Sequence, residues 1–281
     1  MCAVLTAEAG DTEKIAEIIS ECQRMSIPVL PPEINSSYKD FTVIKNPPSL
    51  NGSGEAKQDQ IRFGLLTIKN LGEGVADAII AERLTNGPYK DVEDFVTRVH
   101  NKDLNKKSFE SLVKCGALDM FGERNMFLFN LENLLAYAKE KQKNSSLGQT
   151  SLFGNTITGM LPPLRLTQTD AASNPEKLTW EKELLGLFVS SHPLSSYQTQ
   201  LKLENVIPIK GITINTSGSI KIGGIVTKTQ KIVTKTGRPM VFSWIEDLTS
   251  KIEVIVFPNV LEKNPEIWKE NNIVVARGKI N

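Results

Sequence analysis

Apolar residues recur every three or four positions through most of the first 190 residues, and this spacing is typical of helices that bury one face. It predicts helices over residues 12–25, 91–99, 105–115, 125–143 and 178–187. Prolines between Ile27 and Pro32 predict an extended path after the first helix. Beyond residue 216 the pattern alternates, and it predicts strands over 220–233, 240–245, 252–257 and 273–276, with a helix over 259–269.

Helix ends also have local signals. Thr12 and Thr179 are the expected N-caps of the helices over 12–25 and 178–187, and Glu181 is expected to face outward. Gly116 is the expected C-cap of the helix over 105–115. His192 precedes a proline and has no nucleophile motif beside it, so we expect it to cap or pack rather than to catalyse.

The central stretch, residues 61–119, surrounds the pentapeptide Asn70-Leu71-Gly72-Glu73-Gly74. Apolar residues precede it and helix formers follow it, so we expect a helix, a tight turn and a second helix. Two glycines one residue apart suit a turn that needs positive φ and that presents backbone N–H groups at the start of a helix. A helix N-terminus of that kind can hold a phosphate.

A second predicted helix pair, 91–99 and 105–115, follows directly. Its connection lacks glycine but carries Lys102, Lys106 and Lys107. Two such pairs packed together would form one helical unit. From the residues alone, nucleic-acid contact and an αα-hairpin that only packs both remain open.

Residues 144–174 are polar, rich in glycine, serine and proline, and without periodicity, so they predict a linker. Inside it lies Gln149-Thr150-Ser151-Leu152-Phe153. An apolar pair in a polar linker has no core to join, which favours the pocket of a partner. The alternative is a loop that folds back on its own domain.

The last segment has the order strand, strand, strand, helix, strand, which is that of an OB-fold whose fifth strand would lie beyond Asn281. OB-folds bind single strands with a basic groove and stacking aromatics. The aromatic candidates, Phe242 and Trp244, are two residues apart and share a face, where they would stack bases or fill the barrel. The basic candidates are Lys228, Lys231, Lys235 and Arg238.

Composition limits the possible partners and metals. The 281 residues include 33 basic and 32 acidic side chains, so a nucleic-acid site must be a local patch. Three scattered cysteines and two histidines argue against a zinc site and a disulfide framework. No apolar run is long enough to span a membrane and no signal peptide is visible, which favours the cytoplasm.

Several stretches, in order along the chain, resemble the alpha subunits of bacterial replicative DNA polymerase III, the C-family polymerases. They include AVLTAEAGDTEKIAEIISECQRMSIPVLPPEINSS, IRFGLLTIKNLGEGVADAIIAER, SLVKCGALDMFGERN and WEKELLGLFVSSHPLSSY. Leu71-Gly72-Glu73-Gly74 followed by Ala78 resembles the helix-hairpin-helix motif, which grips the sugar-phosphate backbone of DNA without reading bases. Glu73 departs from that motif, which usually has an apolar residue between the glycines.

The resemblance extends to the linker pentapeptide, which is similar to the sliding-clamp-binding motif of bacterial replication proteins. It implies that Leu152 and Phe153 fill an apolar cleft on the clamp and that Gln149 forms a hydrogen bond at its edge. The expected partners are therefore DNA, both duplex and single-stranded, the sliding clamp and other replicase subunits, with no membrane.

The resemblance implies a multidomain α + β chain with helical fingers and a tandem helix-hairpin-helix unit, followed by a truncated five-stranded OB barrel. The expected parts are a fingers-like portion (1–60), the tandem helix-hairpin-helix region (61–143), a flexible linker with the clamp motif (144–175), a helical connector (176–215) and the OB-fold without its last strand (216–281).

Catalysis is expected elsewhere. In this family the catalytic aspartates, which hold magnesium, belong to a palm domain that would precede Met1, and no closely spaced aspartate cluster occurs here. The resemblance therefore implies a C-terminal fragment of a DNA-directed DNA polymerase, with no catalytic residue, metal or cofactor of its own and inactive alone. The alternative is a non-catalytic DNA-binding adaptor with the same architecture.

Overall fold

The computed structural model describes residues 1–45, 59–146, 164–213, 216, 218–234 and 237–280. They form two compact units, Met1–Ser190 and Ser191–Asn281. The first unit is mainly helical and the second is mainly an antiparallel sheet. Among the described residues, no helix combines the length and the apolar composition needed to cross a bilayer.

The first unit begins with two helices and a small sheet, namely α1 (Cys2–Ala7), α2 (Thr12–Arg24), β1 (Val29–Leu30), β2 (Thr42–Ile44) and β3 (Gln60–Arg62). β3 is the central strand, parallel to β1 and antiparallel to β2. The extended path predicted from the prolines is confirmed by β1. A single 3-10 turn, Leu65–Thr67, then leads towards the pentapeptide.

Six further helices complete this unit: α3 (Glu73–Asn86), α4 (Val92–Arg98), α5 (Lys106–Lys114), α6 (Arg124–Phe129), α7 (Leu131–Ser146) and α8 (Asn174–Leu185). Their buried faces share one apolar core with α1 and α2, in which Phe63, Phe95, Phe109 and Leu134 are almost completely buried. The first unit therefore folds around a single core.

The helices predicted over 91–99 and 105–115 are confirmed as α4 and α5. Asp91 accepts the Asp94 N–H at the start of α4. Gly116 has φ +84° directly after α5, so the predicted glycine stop is confirmed. A Cβ at Gly116 would also collide with the guanidinium of Arg124, so this position requires glycine on two grounds.

Two other helix boundaries differ from prediction. α2 begins at Thr12, so the capping position falls on Asp11, whose Oδ1 accepts the Lys14 N–H at 3.2 Å. The helix predicted over 125–143 is divided at Asn130 into α6 and α7. The Asn130 amide donates to the carbonyl of Met126 at 2.8 Å, a local bond that competes with helix continuation.

α8 begins well before the predicted start. Its N-cap is Ser173, which forms a reciprocal capping box with Glu176. Thr179, the expected cap, lies inside the helix and donates its hydroxyl to the carbonyl of Pro175 at 2.8 Å. The helix ends at Gly186, which has φ +81°. The capping box therefore determines where α8 begins.

An ionic cluster around the buried side chains of Arg124 and Glu181 joins α6 to α8. The Arg124 guanidinium donates to both carboxylate oxygens of Asp119 at 2.9 and 2.7 Å and to Glu181 at 3.4 Å. Glu181 is fully buried, and its other oxygen accepts the backbone N–H groups of Val189 and Ser190. The expectation that Glu181 faces outward is wrong. Its burial depends on Arg124, a cation so far away in sequence that no local pattern indicates the pair.

The second unit contains a 3-10 turn (Pro193–Tyr197), α9 (Gln198–Leu203), a second 3-10 turn (Ile209–Gly211), β4 (Ser219–Val233), β5 (Pro239–Glu246), β6 (Lys251–Val256), α10 (Pro258–Leu261) and β7 (Ile273–Lys279). The first turn is capped by His192, whose Nδ1 accepts the Leu194 N–H at 3.2 Å, so the capping role expected for this histidine is confirmed.

The sheet order is β6-β5-β4-β7, and all neighbouring strands are antiparallel. β4 pairs with β7 through its first half and with β5 through its second half, with a bulge between Val226 and Lys228. A bulge bends a strand, which lets one long strand serve two parts of a curved sheet. Ile222, Val226, Ile245 and Val274 form the core on one side of the sheet.

The helix predicted over 259–269 is wrong beyond its first turn, because α10 ends at Leu261. Pro265 explains the early end, since a proline removes a helical hydrogen bond and clashes with the carbonyl four residues earlier. Asn272 then donates its amide to the carbonyls of Glu266 and Ile267 at 2.9 and 3.0 Å, which ties the following turn together.

Arg124→Met is expected to lower the free energy of unfolding by about 3–5 kcal/mol, because it leaves Glu181 buried without its cation. Urea denaturation followed by circular dichroism measures this change. Lys14→Met, which removes an exposed ion pair to Glu8, is the matched control and should leave the denaturation midpoint almost unchanged. A loss for Arg124→Met as small as the control's would contradict the structural role of the cluster.

Candidate nucleic-acid interface

Only the second of the two helices predicted around the pentapeptide is present, as α3. Instead of an α-helix before the turn, the structure has β3 and one 3-10 turn. The positive φ falls on Asn70, at +68°, whereas Gly72 has φ −81° and is the N-cap of α3. Asparagine tolerates this conformation better than most residues. The expectation that the glycines supply positive φ is therefore wrong.

Gly72 still leaves the start of α3 open, because it has no side chain that can cap the helix. Leu71, by contrast, is buried in the core. The Asn70 amide donates to the hydroxyl of Ser111 on α5 at 3.2 Å, which fixes the turn against a neighbouring helix. Leu71 and Asn70 thus attach the hairpin to the core and to α5, while the backbone near Gly72 and Gly74 remains at the surface.

Lys39, from outside this hairpin, contacts its second helix, and the sequence pattern did not reveal this contact. Its ammonium contacts Glu73 Oε1 and Asp77 Oδ1, both at 2.8 Å. These two hydrogen bonds raise the pKa of Lys39 above its ordinary value, and the bond to Asp77 has the larger effect. Lys39 lies in the segment before β2, so no spacing rule for a helix pair could have found it.

The second connection meets the first hairpin directly. The Asn101 amide donates to the carbonyl of Gly74 at 2.8 Å. Asn105 then caps α5 by accepting the N–H groups of Lys107 and Ser108 at 2.9 and 3.1 Å. The structure therefore brings the two predicted turns side by side.

Lys102, Lys106 and Lys107 are all exposed at this second connection. Lys106 forms an ion pair with Glu132 at 2.7 Å, and the hydrogen bond in that pair raises the pKa of Lys106. Both side chains are largely exposed, so water and salt weaken the pair.

The predicted clamp motif, Gln149–Phe153, lies outside the described residues. The described chain on each side of the motif belongs to the first unit, as α7 before it and as residues 164–170 after it. The Asn130 side chain accepts the Thr167 N–H and donates to the Thr167 carbonyl, at 2.9 and 2.8 Å. Both flanks are therefore attached to the same unit.

In the second unit, Phe242 and Trp244 lie on the face of β5 opposite to the buried Val241, Ser243 and Ile245. Both aromatic rings are half-buried. The alternative that they fill the barrel is therefore wrong. The outer face of the sheet carries them as neighbours.

The basic candidates of this unit do not all share that face. Lys228 is opposite Trp244 in the ladder, and its ammonium lies 5.2 Å from the centre of the indole ring. Lys231 is opposite Val241, which places it on the other face. Arg238 contacts Glu262 at 2.9 Å and Asn259 at 2.8 Å, so other side chains already engage its guanidinium. Lys235 is outside the described residues.

Comparisons with known proteins agree with both units. A helix-hairpin-helix motif model matches residues 26–126, and an OB-fold nucleic acid binding domain model matches residues 220–281. DNA polymerase III subunit alpha of Haemophilus influenzae is 32% identical over 284 residues, covering 100% of this chain and 23% of that protein. DNA polymerase III subunit alpha of Thermus aquaticus is 35% identical over 93% of this chain and 20% of that protein. The subunit of Escherichia coli K12 is 30% identical over 100% of this chain and 23% of that protein.

The chain belongs to the DNA polymerase III alpha subunit family. It corresponds to the C-terminal region of that subunit and spans less than a quarter of the length of these relatives. The helix-hairpin-helix match begins at residue 26, upstream of the predicted 61–143 region, and thus includes Lys39. The predicted fold class, helical with helix-hairpin-helix character and then an OB-type sheet, is confirmed.

The alternation of buried and half-buried side chains along β5 leads to a prediction about stability. Ile245→Ala removes a fully buried side chain and should lower the free energy of unfolding by about 2–5 kcal/mol. Phe242→Ala should lower it clearly less, although phenylalanine is larger, because its ring is only half-buried on the outer face. Urea denaturation of the two variants tests this, and an equal or larger loss for Phe242→Ala would contradict the assignment of faces.

Proposed function

We propose that this chain forms part of the DNA-holding surface of a replicative DNA polymerase and attaches it to the sliding clamp. The observation that carries the proposal is the similarity of the whole chain to DNA polymerase III alpha subunits, together with the separate helix-hairpin-helix and OB-fold matches. DNA-templated DNA synthesis by the complete subunit belongs to the same proposal.

Duplex DNA is the ligand we assign to the first unit. The start of α3 offers backbone N–H groups without a capping side chain, and such a helix end attracts phosphate. The exposed lysines of the second connection add positive charge close by, since Asn101 contacts Gly74. Contacts of this kind bind the sugar-phosphate backbone and carry no sequence information.

The combined substitution Lys102→Ala, Lys106→Ala and Lys107→Ala is expected to weaken duplex binding and to flatten its salt dependence. Each lost phosphate contact lowers the slope of log K against log salt by roughly 0.9, so up to about three units of slope are at stake. Fluorescence anisotropy with one duplex at several sodium chloride concentrations measures both effects.

The matched control changes three exposed lysines elsewhere, Lys14, Lys263 and Lys269, to alanine. It alters net charge equally and should leave the slope close to that of the unmodified chain. An equal slope for both triple variants would remove the second connection from the DNA contact.

The sliding clamp is the partner we assign to Gln149–Phe153. Support comes from the residue pattern and from the attachment of both flanks to the first unit, which would tie the clamp to the DNA-holding unit. Two adjacent apolar residues, with glycines and polar residues on either side in the sequence, suit an apolar cleft on a partner.

Leu152→Ala combined with Phe153→Ala is expected to weaken binding to a bacterial sliding clamp at least about tenfold, because two apolar anchors are lost. Surface plasmon resonance with immobilised clamp measures the affinity. Ile157→Ala combined with Leu161→Ala removes two apolar side chains from the same segment and should bind normally. Equal losses for both double variants would argue against a specific clamp motif.

Single-stranded DNA is the ligand we assign to the outer face of the second unit. Trp244 and Phe242 offer two half-exposed rings on one strand, and Lys228 supplies a cation beside them. Bases of any sequence can stack on such rings. Because Lys231 lies on the other face and Arg238 already contacts Glu262, we assign stacking a larger share of this binding than charge.

The chemical step of polymerisation, with its magnesium ions, we assign to parts of the subunit that this chain does not span. The chain alone is therefore expected to hold DNA without extending it. Other replicase subunits are proposed partners, and a role in chromosome replication places the protein in the cytoplasm of a bacterium.

A further inference from the structure

The first turns of α3 carry two carboxylates where the proposed duplex contact needs a surface that accepts phosphate. Glu73 and Asp77 are four residues apart and thus neighbours on the helix. Their side chains are 69% and 55% exposed. Carboxylates at this end of a helix suit its dipole but repel a phosphate that approaches the same end.

Lys39 binds both of these carboxylates at once. Its ammonium lies 2.8 Å from Glu73 Oε1 and 2.8 Å from Asp77 Oδ1, whereas its backbone belongs to a separate segment. One cation between two anions draws both side chains towards itself and halves their combined charge.

The position of Lys39 is set by its backbone. The carbonyls of Tyr38 and Lys39 accept the N–H groups of Leu65 and Leu66 at 2.7 and 3.0 Å. A Cβ at Gly64 would collide with the Lys39 carbonyl and with the backbone of Asp40, so the two segments approach as closely as only glycine permits. These backbone contacts therefore hold the Lys39 side chain next to α3.

We propose that Lys39 is a positioning residue for the duplex contact, which holds the Glu73 and Asp77 carboxylates to itself and thereby prevents them from repelling the DNA backbone. This inference rests on the proposed duplex binding by the first unit. Glu73 is the residue that departs from the helix-hairpin-helix pattern. By this inference its charge is compensated by a cation from outside the hairpin.

A double-mutant cycle tests the inference with duplex affinity as the readout. Lys39→Met should weaken binding about three- to fivefold at low salt, the upper part of the range expected when one exposed charge interaction is lost. In the background Glu73→Gln with Asp77→Asn, the same Lys39→Met change should alter affinity less than twofold, because no carboxylate remains to be compensated. Lys39→Arg, which keeps the cation, should bind as the unmodified chain does.

Circular dichroism spectra and urea midpoints close to those of the unmodified chain establish that each variant is folded. If Lys39→Met weakens binding equally in both backgrounds, Lys39 acts on DNA directly and the positioning role is overturned. If Lys39→Met has no effect on a chain that binds duplex, the inference alone fails. If the unmodified chain does not bind duplex DNA, the proposed function fails and the inference with it.

Discussion

The first unit depends on the contact of the buried Arg124 with the buried Glu181 and with Asp119. Arg124 also donates to the carbonyl of Lys114 at 2.8 Å, so the guanidinium satisfies the end of α5 while it binds carboxylates from two other segments. A buried charge is costly without a partner, and here each oxygen of Glu181 has one. The cluster thereby fixes α5 against α6 and α8.

This arrangement matters for the proposed DNA surface because α5 connects the cluster to both turns. Its C-terminal end meets Arg124, and Ser111 in its middle contacts Asn70. At its start, Asn105 caps the first turn of α5, which carries Lys106 and Lys107. The side chains proposed to meet DNA are therefore exposed, while hydrogen bonds to neighbouring segments fix the backbone beneath them. A rigid scaffold reduces the ordering that binding would otherwise require.

Local signals in the sequence predicted much of this fold. The helices α4 and α5, the glycine after α5 and the strands β4, β5 and β6 follow from periodicity and capping, which involve residues close together along the chain. What the sequence did not reveal depends on distant partners. Glu181 has the pattern of an outward residue, but Arg124, far away in sequence, supplies the cation that a buried carboxylate needs.

The candidate sites divide in the same way. Alternation predicted that Phe242 and Trp244 share a face, but which face is buried depends on what packs against the sheet. Likewise, Arg238 in a basic stretch looked available until the structure brought Glu262 to it. The pairing of Lys39 with Glu73 and Asp77 has no local signal at all, since it requires the fold to bring two segments together.

The most direct measurement is hydrogen–deuterium exchange of the complete chain with and without a primed DNA duplex. The account predicts slower exchange on DNA binding in peptides that cover residues 70–76 and 101–108, since these contain the start of α3 and the lysine-bearing turn beside it. Binding of the duplex with unchanged exchange in both regions, and protection elsewhere, would contradict the proposal that the paired turns hold DNA.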